Sequence, residues 1–165
     1  MNVPVLASAW TAFLLWILGE VVLARRAGPS PWRVRMIWPC GALALTIHLL
    51  VAFALVHGWS HRSAVASTAL RMHQEFGVSW GGGVFINYLL VGWWWCDAAY
   101  SWWRPQRWNQ PGRYRSLRRA CFWFLWFNGT VVFASGIRRI WAAALCLALL
   151  GIWWRGTRES RQVAA

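Results

Sequence analysis

Two histidines at the end of an apolar run have a spacing that suits metal binding. His57 and His61 stand four residues apart, so if one helix continues through Gly58 their imidazoles share a face and can hold one ion. His73 and Glu75 follow on the next segment and add two further ligand types. These four side chains form a candidate copper or zinc site.

His48 is the candidate haem ligand, because it lies near the middle of the same apolar run. A b-type haem across helices needs two axial ligands at matching depth, and no other histidine has that depth. Haem b at His48 therefore requires a second copy, another subunit or a different axial ligand.

Two carboxylates, Glu20 and Asp97, fall inside apolar runs. Ionisable groups in lipid are costly and mark either function or specific pairing. They can form a proton-relay pair, as a small proton-coupled carrier needs. Alternatively, each pairs with an arginine at the membrane edge, such as Arg25, Arg26 or Arg104.

Asp97 lies within the stretch VGWWWCDAAYSWW, and its neighbours on one helical stripe are polar. Trp93, Tyr100 and Arg104 are spaced four, three and four residues apart with Asp97 between them, so they share that stripe. We predict a buried polar knot in which the Trp93 N–H and the Tyr100 hydroxyl donate to the carboxylate. Arg104 would approach it from the edge.

Other polar or amphipathic side chains in the apolar runs favour contacts between helices. Asn87, Asn128, Thr46 and Thr130 are expected to form interhelical hydrogen bonds. Trp94 and Trp95 lie on other faces of the helix than the Asp97 stripe, and they indicate a bound ligand or a partner helix.

Motifs of soluble enzymes are missing from the sequence. It contains no Ser-His-Asp order, paired catalytic carboxylates, H-E-x-x-H or nucleotide-binding motif. A hydrolase or a nucleotide-driven pump is disfavoured, and the balance leans away from an enzyme. The arginines stand at the ends of apolar runs, so a topological role explains them better than nucleic-acid binding.

Composition places these residues in a helical membrane protein. Of 165 residues, 59% are hydrophobic and 13% are charged. Apolar runs predict an all-α bundle of five transmembrane helices, with Pro39 in the first turn of the second. Four spans result if Gly136 to Arg139 continue one long helix. The predicted spans are 3–24, 37–56, 83–103, 120–136 and 140–154.

The segment between the second and third spans predicts one short amphipathic helix over 62–76, lying on the external surface. Val65, Ala69, Met72 and Phe76 recur at helical spacing. Ser60 is the expected N-cap and Gly77 the expected stop.

Arginine counts predict the orientation in a bacterial inner membrane. The segments 25–35 and 104–119 and the tail after 154 hold thirteen arginines, against four on the opposite side. Because cytoplasmic loops carry the excess, the N-terminus is expected outside and the C-terminus in the cytoplasm.

Four motifs, H-G-W-S-H (57–61), W-G-G-G-V-F-I-N-Y (80–88), Trp94 with Asp97, and F-N-G-T-V-V-F (127–133), occur in a recognisable order. The chain resembles a family of small, uncharacterised polytopic membrane proteins of planctomycete-type bacteria across residues 45–140. The resemblance implies a multi-pass membrane fold and brings no activity, cofactor or partner.

Three functions remain open. The first is a non-catalytic accessory subunit that packs against other membrane-protein subunits or itself, because the aromatic surface exceeds what five short helices can bury. The second is a redox or metal-handling protein using His48, or His57, His61 and His73. The third is a proton-coupled carrier built on Glu20 and Asp97.

Overall fold

The computed structural model describes residues 3–24, 32–110, 112–129, 137, 140, 141, 143–148, 150 and 151. Every regular element within these residues is helical, which confirms the predicted all-α class. The elements are α1 (Val3–Ala24), α2 (Trp32–Leu55), α3 (His61–Phe76), α4 (Gly83–Trp103), α5 (Pro105–Trp108) and α6 (Arg113–Phe127). The chain forms two compact units, Met1–Arg115 and Ser116–Ala165.

In the first unit α2 is the central helix, packing against α1 on one side and α4 on the other. Its neighbours run antiparallel to it. The start of α2 meets the end of α1, where a Cβ on Gly19 would lie 2.9 Å from the Trp38 ring. The far part of α2 meets the start of α1, where His48 contacts Val5.

Helix α2 begins earlier than the sequence predicts. It starts at Trp32, not at residue 37, so Pro39 lies inside the helix and not in its first turn. A proline within a helix removes one backbone hydrogen bond, which makes such a position unattractive from sequence alone.

Two residues with a left-handed backbone conformation lie between α2 and α3. Gly58 has φ 53° and Trp59 has φ 60°, so the helix does not continue through Gly58, and the condition placed on the pair His57 and His61 fails. Helix α3 then starts at His61, with the Ser60 side chain accepting from the Ser63 N–H. Gly77, at φ 73°, ends it, so both cap residues serve as the sequence predicts.

The prediction of a fourth span from residue 120 implied that the segment 104–119 is a loop. The structure instead has helical residues in this segment. Arg104 closes α4, Pro105 opens the short α5, and α6 begins at Arg113. Proline suits that first position because its missing N–H is not needed there. Trp108 of α5 is fully buried, so α5 folds back onto the helices of the first unit.

Within the second unit, the later part of α6 and helical residues between 140 and 151 line an apolar groove of about 460 Å³. The groove is lined by Trp123, Phe124, Phe127, Asn128, Ala143, Cys146, Leu147 and Leu150. Residues 130–136, 138, 139 and 152–165 lie outside the described residues. They include Thr130, most of the junction that separates a four-span from a five-span topology, and the arginines of the tail.

Two of the described helices, over Val3–Leu23 and Trp32–Leu55, are long and apolar enough to cross a membrane. Helix α4 has a comparable length of 21 residues but is not among the helices whose hydropathy suits a membrane span.

Candidate functional site

Asp97 is the centre of a buried polar cluster in the first unit. Its side chain is 1% exposed, although a carboxylate is costly to bury without partners. The Trp38 indole donates to Oδ2 at 2.6 Å, and the Trp108 indole donates to Oδ1 at 2.8 Å. The Tyr114 hydroxyl also donates to Oδ1. We call Asp97, Trp38, Trp108 and Tyr114 the Asp97 knot.

The knot joins elements that are distant in sequence. Trp38 belongs to α2, Asp97 to α4, Trp108 to α5 and Tyr114 to the first turn of α6. A carboxylate is the natural hub for such a junction, because its two oxygens together accept about four hydrogen bonds and donate none. The cluster therefore joins α2, α4, α5 and the first turn of α6 through one acceptor side chain.

Indole rings shield the carboxylate from its surroundings. Trp38, Trp94 and Trp108 are all fully buried. The Trp38 ring packs edge-on against Trp94 at 5.8 Å and against Trp108 at 5.4 Å between centroids. Gly41 makes room for this packing, since a Cβ there would lie 2.4 Å from the Trp94 ring. The donors are thus fixed in place by apolar contacts.

Asp97 is buried among hydrogen-bond donors, and two of the neighbours predicted for it, Tyr100 and Arg104, make other contacts. Tyr100 packs its ring against Tyr114 at 5.4 Å and so supports a donor without being one of the three described here. The Arg104 guanidinium lies over the Trp103 ring at 5.0 Å. Trp93 is half-buried on the same helix. Trp38 comes from α2, whereas Trp108 and Tyr114 reach Asp97 because the chain turns back after α4.

A second interhelical bond repairs the backbone of α2 at its proline. Pro39 has no N–H, so the carbonyl of Arg35, four residues earlier, loses its usual helical donor. The indole N–H of Trp102 donates to that carbonyl at 3.0 Å. The Arg35 guanidinium lies over the same ring at 5.1 Å. Trp102 therefore links the end of α4 to the start of α2.

Among the remaining polar residues of the spans, some make the predicted contacts and others do not. Thr46 accepts from the Trp95 indole at 3.0 Å, which is the interhelical bond expected of it. Asn87 is exposed, and its interhelical hydrogen bond stays a prediction. Asn128 donates to the Phe124 carbonyl of its own segment at 2.7 Å. Trp94, expected to face a ligand or partner, is instead fully buried.

His48 is oriented by the start of α1. Its Nδ1 lies 3.1 Å from the Val5 carbonyl oxygen and 3.3 Å from Ser8 Oγ. A carbonyl oxygen only accepts, so Nδ1 carries the proton and Nε2 carries the lone pair. This tautomer is the one that histidine ligands of metals commonly adopt.

The three other histidines each contact a different hydroxyl group. His57 Nδ1 lies 3.5 Å from Ser67 Oγ, and His61 Nδ1 lies 3.2 Å from the Tyr88 hydroxyl. His73 Nδ1 lies 3.3 Å from Ser79 Oγ. Among the described residues, no three His, Cys, Asp or Glu side chains are grouped to hold a metal. The copper or zinc site that included Glu75 remains a prediction without a gathered ligand set.

Glu20 lies next to Gly19 near the end of α1 and is half-buried. The proton-relay pair of Glu20 and Asp97 stays a prediction, and the donors described for Asp97 come from α2, α5 and α6. Trp108 and Tyr114 were missed because both fall in what reads as a loop. Their aromatic donors close to an apolar run were the available signal.

Comparisons with family models, with curated proteins and with solved structures each returned no match.

Proposed function

We propose that the protein is a non-catalytic, multi-pass subunit of the bacterial inner membrane that packs against other membrane-protein subunits. The observation that carries this proposal is how the polar groups are used. The Asp97 carboxylate accepts from three donors inside the bundle, which suits a structural centre better than a proton relay.

Outward faces of the same helices support a membrane setting. Only 22% of the apolar stretch of α1 and 28% of that of α2 is buried within the protein, whereas the core helix of a soluble protein would be mostly covered. Leu14, Leu43, Ile47, Phe85 and Leu89 are all exposed. Contact of such side chains with lipid tails or partner helices has no free-energy cost, whereas their exposure to water does.

Site-specific photo-crosslinking tests the subunit role. A benzophenone amino acid at Leu43 of α2 or Leu89 of α4 would sample two outward faces in living cells. The proposal expects one discrete protein adduct, reproducible in size, at one of these faces, and no adduct at the exposed Gln74 of α3. Recovery in the soluble fraction, or lipid adducts alone at every tested face, would contradict it.

A haem-binding role is the second candidate, and the orientation of His48 is the observation that favours it. With Nδ1–H held by Val5, Nε2 is the free ligand atom, and haem bound there would supply electron transfer. The other axial ligand would come from a second copy or a partner. A Soret band that is lost in His48→Ala supports this role, and a colourless protein purified with haem supplied contradicts it.

A further inference from the structure

We propose that the end of the bundle beside the Asp97 knot binds the phosphate headgroups of anionic phospholipids. The surface consists of five arginines, which we call the basic rim: Arg33, Arg35, Arg104, Arg107 and Arg113. The inference rests on the membrane location proposed above and adds a lipid class and a binding surface to it.

Contacts within the first unit bring the basic rim together. The bond from Trp102 to the Arg35 carbonyl joins the end of α4 to the start of α2. Trp108 and Tyr114 both reach Asp97, which lies close to that end of α4. Arg107 precedes Trp108 and Arg113 precedes Tyr114, so all five arginines belong to one end of the bundle.

Two helices start at this end with basic first turns. Helix α2 begins Trp-Arg-Val-Arg and α6 begins Arg-Tyr-Arg, and neither has an acidic residue in its first turn. The start of a helix carries partial positive charge and unpaired N–H groups, so arginine there is unfavourable. An anion bound between the two starts would remove that conflict, and phosphate is the anion such sites prefer.

Indole rings at the end of α4 hold two arginines of the basic rim in place. The Arg35 guanidinium lies 5.1 Å from the centre of the Trp102 ring, and Arg104 lies 5.0 Å from that of Trp103. Trp103 is 75% exposed, as expected for a ring at the lipid boundary. A guanidinium stacked on a ring keeps its N–H edges open to phosphate oxygens.

Among the described residues, arginines outnumber acidic side chains at this end. Of four acidic residues in the sequence, Glu20 and Asp97 lie on helices that reach this end, and Asp97 is directed into the core. Within the described part of the chain, none of the five rim arginines is paired with a carboxylate. Exposed indoles beside uncovered apolar helices favour a lipid surface as the partner over a nucleic acid.

Native mass spectrometry on the purified full chain tests the proposal. The protein in detergent is titrated with dioleoylphosphatidylglycerol and, separately, with dioleoylphosphatidylcholine. We expect discrete adducts with the anionic lipid at concentrations where the zwitterionic lipid gives none. The double variant Arg104→Gln with Arg113→Gln should bind the anionic lipid about fivefold more weakly for each arginine removed.

Matched variants separate charge from folding. Arg62→Gln with Arg71→Gln changes two arginines on α3, far from the basic rim, and should leave lipid affinity unchanged. Arg104→Lys with Arg113→Lys keeps the charge and should retain most of the binding, also if the glutamine variant does not fold. Thermal unfolding without lipid identifies variants that are misfolded.

Three outcomes would overturn the proposal. They are equal binding of both lipids by the wild type, equal weakening by the α3 control pair, and displacement of the lipid by inorganic phosphate or a short RNA at equal concentration. Cell fractionation tests the membrane location independently. A membrane-bound protein without preference for anionic lipid would therefore reject this inference alone.

Discussion

The indole N–H of Trp38 donates to Oδ2 of Asp97 across 2.6 Å, joining two residues that lie 59 positions apart in the chain. Both side chains are buried, so the bond is shielded from water. Hydrogen bonds to a charged acceptor are about twice as strong as neutral ones. We therefore regard this pair as the principal polar link between α2 and α4.

Trp38→Phe tests that link, because phenylalanine keeps an aromatic ring and removes the donor. We expect a loss of about 3 kcal/mol in the free energy of unfolding, from one bond to a charged group and some ring contact. Equilibrium unfolding by SDS in mixed micelles measures it. Trp103→Phe is the control, since Trp103 is 75% exposed and its change should stay within about 0.5 kcal/mol. Equal effects of the two substitutions would argue against the link.

Gly41→Ala tests the close approach of α2 to the Trp94 ring. The added Cβ would lie 2.4 Å from Cζ2 of Trp94, so the ring or the helix must shift, at about 2 kcal/mol. Gly92→Ala on α4 meets nothing within 4 Å and should stabilise the helix by about 0.5 kcal/mol. The same unfolding assay should show changes of opposite sign; two stabilising changes would mean that the helices are not packed so closely.

Pro39→Ala and Trp102→Phe should be coupled. In the wild type, Trp102→Phe leaves the Arg35 carbonyl without its indole donor and should cost about 1 kcal/mol. In the Pro39→Ala background the backbone N–H of residue 39 can serve that carbonyl, so the same substitution should cost little. A double-mutant cycle measures the difference. Additive effects would show that Trp102 does not replace the missing proline bond.

The helices could be predicted well where one apolar run equals one helix. Both α1 and α4 have the predicted bounds, and α3 has the predicted caps. The start of α2 could not be predicted, because the proline is tolerated only through Trp102, a contact from another helix. The sequence around the proline contains no information about a hydrogen bond donated by another helix.

The central residue of the site could be predicted from the sequence, but its hydrogen-bond donors could not. A lone carboxylate in an apolar run must be satisfied, so Asp97 stood out from the sequence. Spacing on one helix can propose only neighbours such as Tyr100 and Arg104. The donors Trp108 and Tyr114 lie 11 and 17 residues further on, and reach Asp97 because the chain turns back at Pro105.

Asp97→Asn is the most direct test of the claim that Asp97 organises the bundle. Asparagine keeps the shape but replaces one acceptor oxygen with an amide NH2 group, so at least one of the described donors loses its acceptor and faces another donor. We predict a loss of about 3 kcal/mol in unfolding free energy and a lower yield of folded protein. Glu75→Gln on α3 should have no such effect. An Asp97→Asn protein as abundant and as stable as Glu75→Gln would contradict the account.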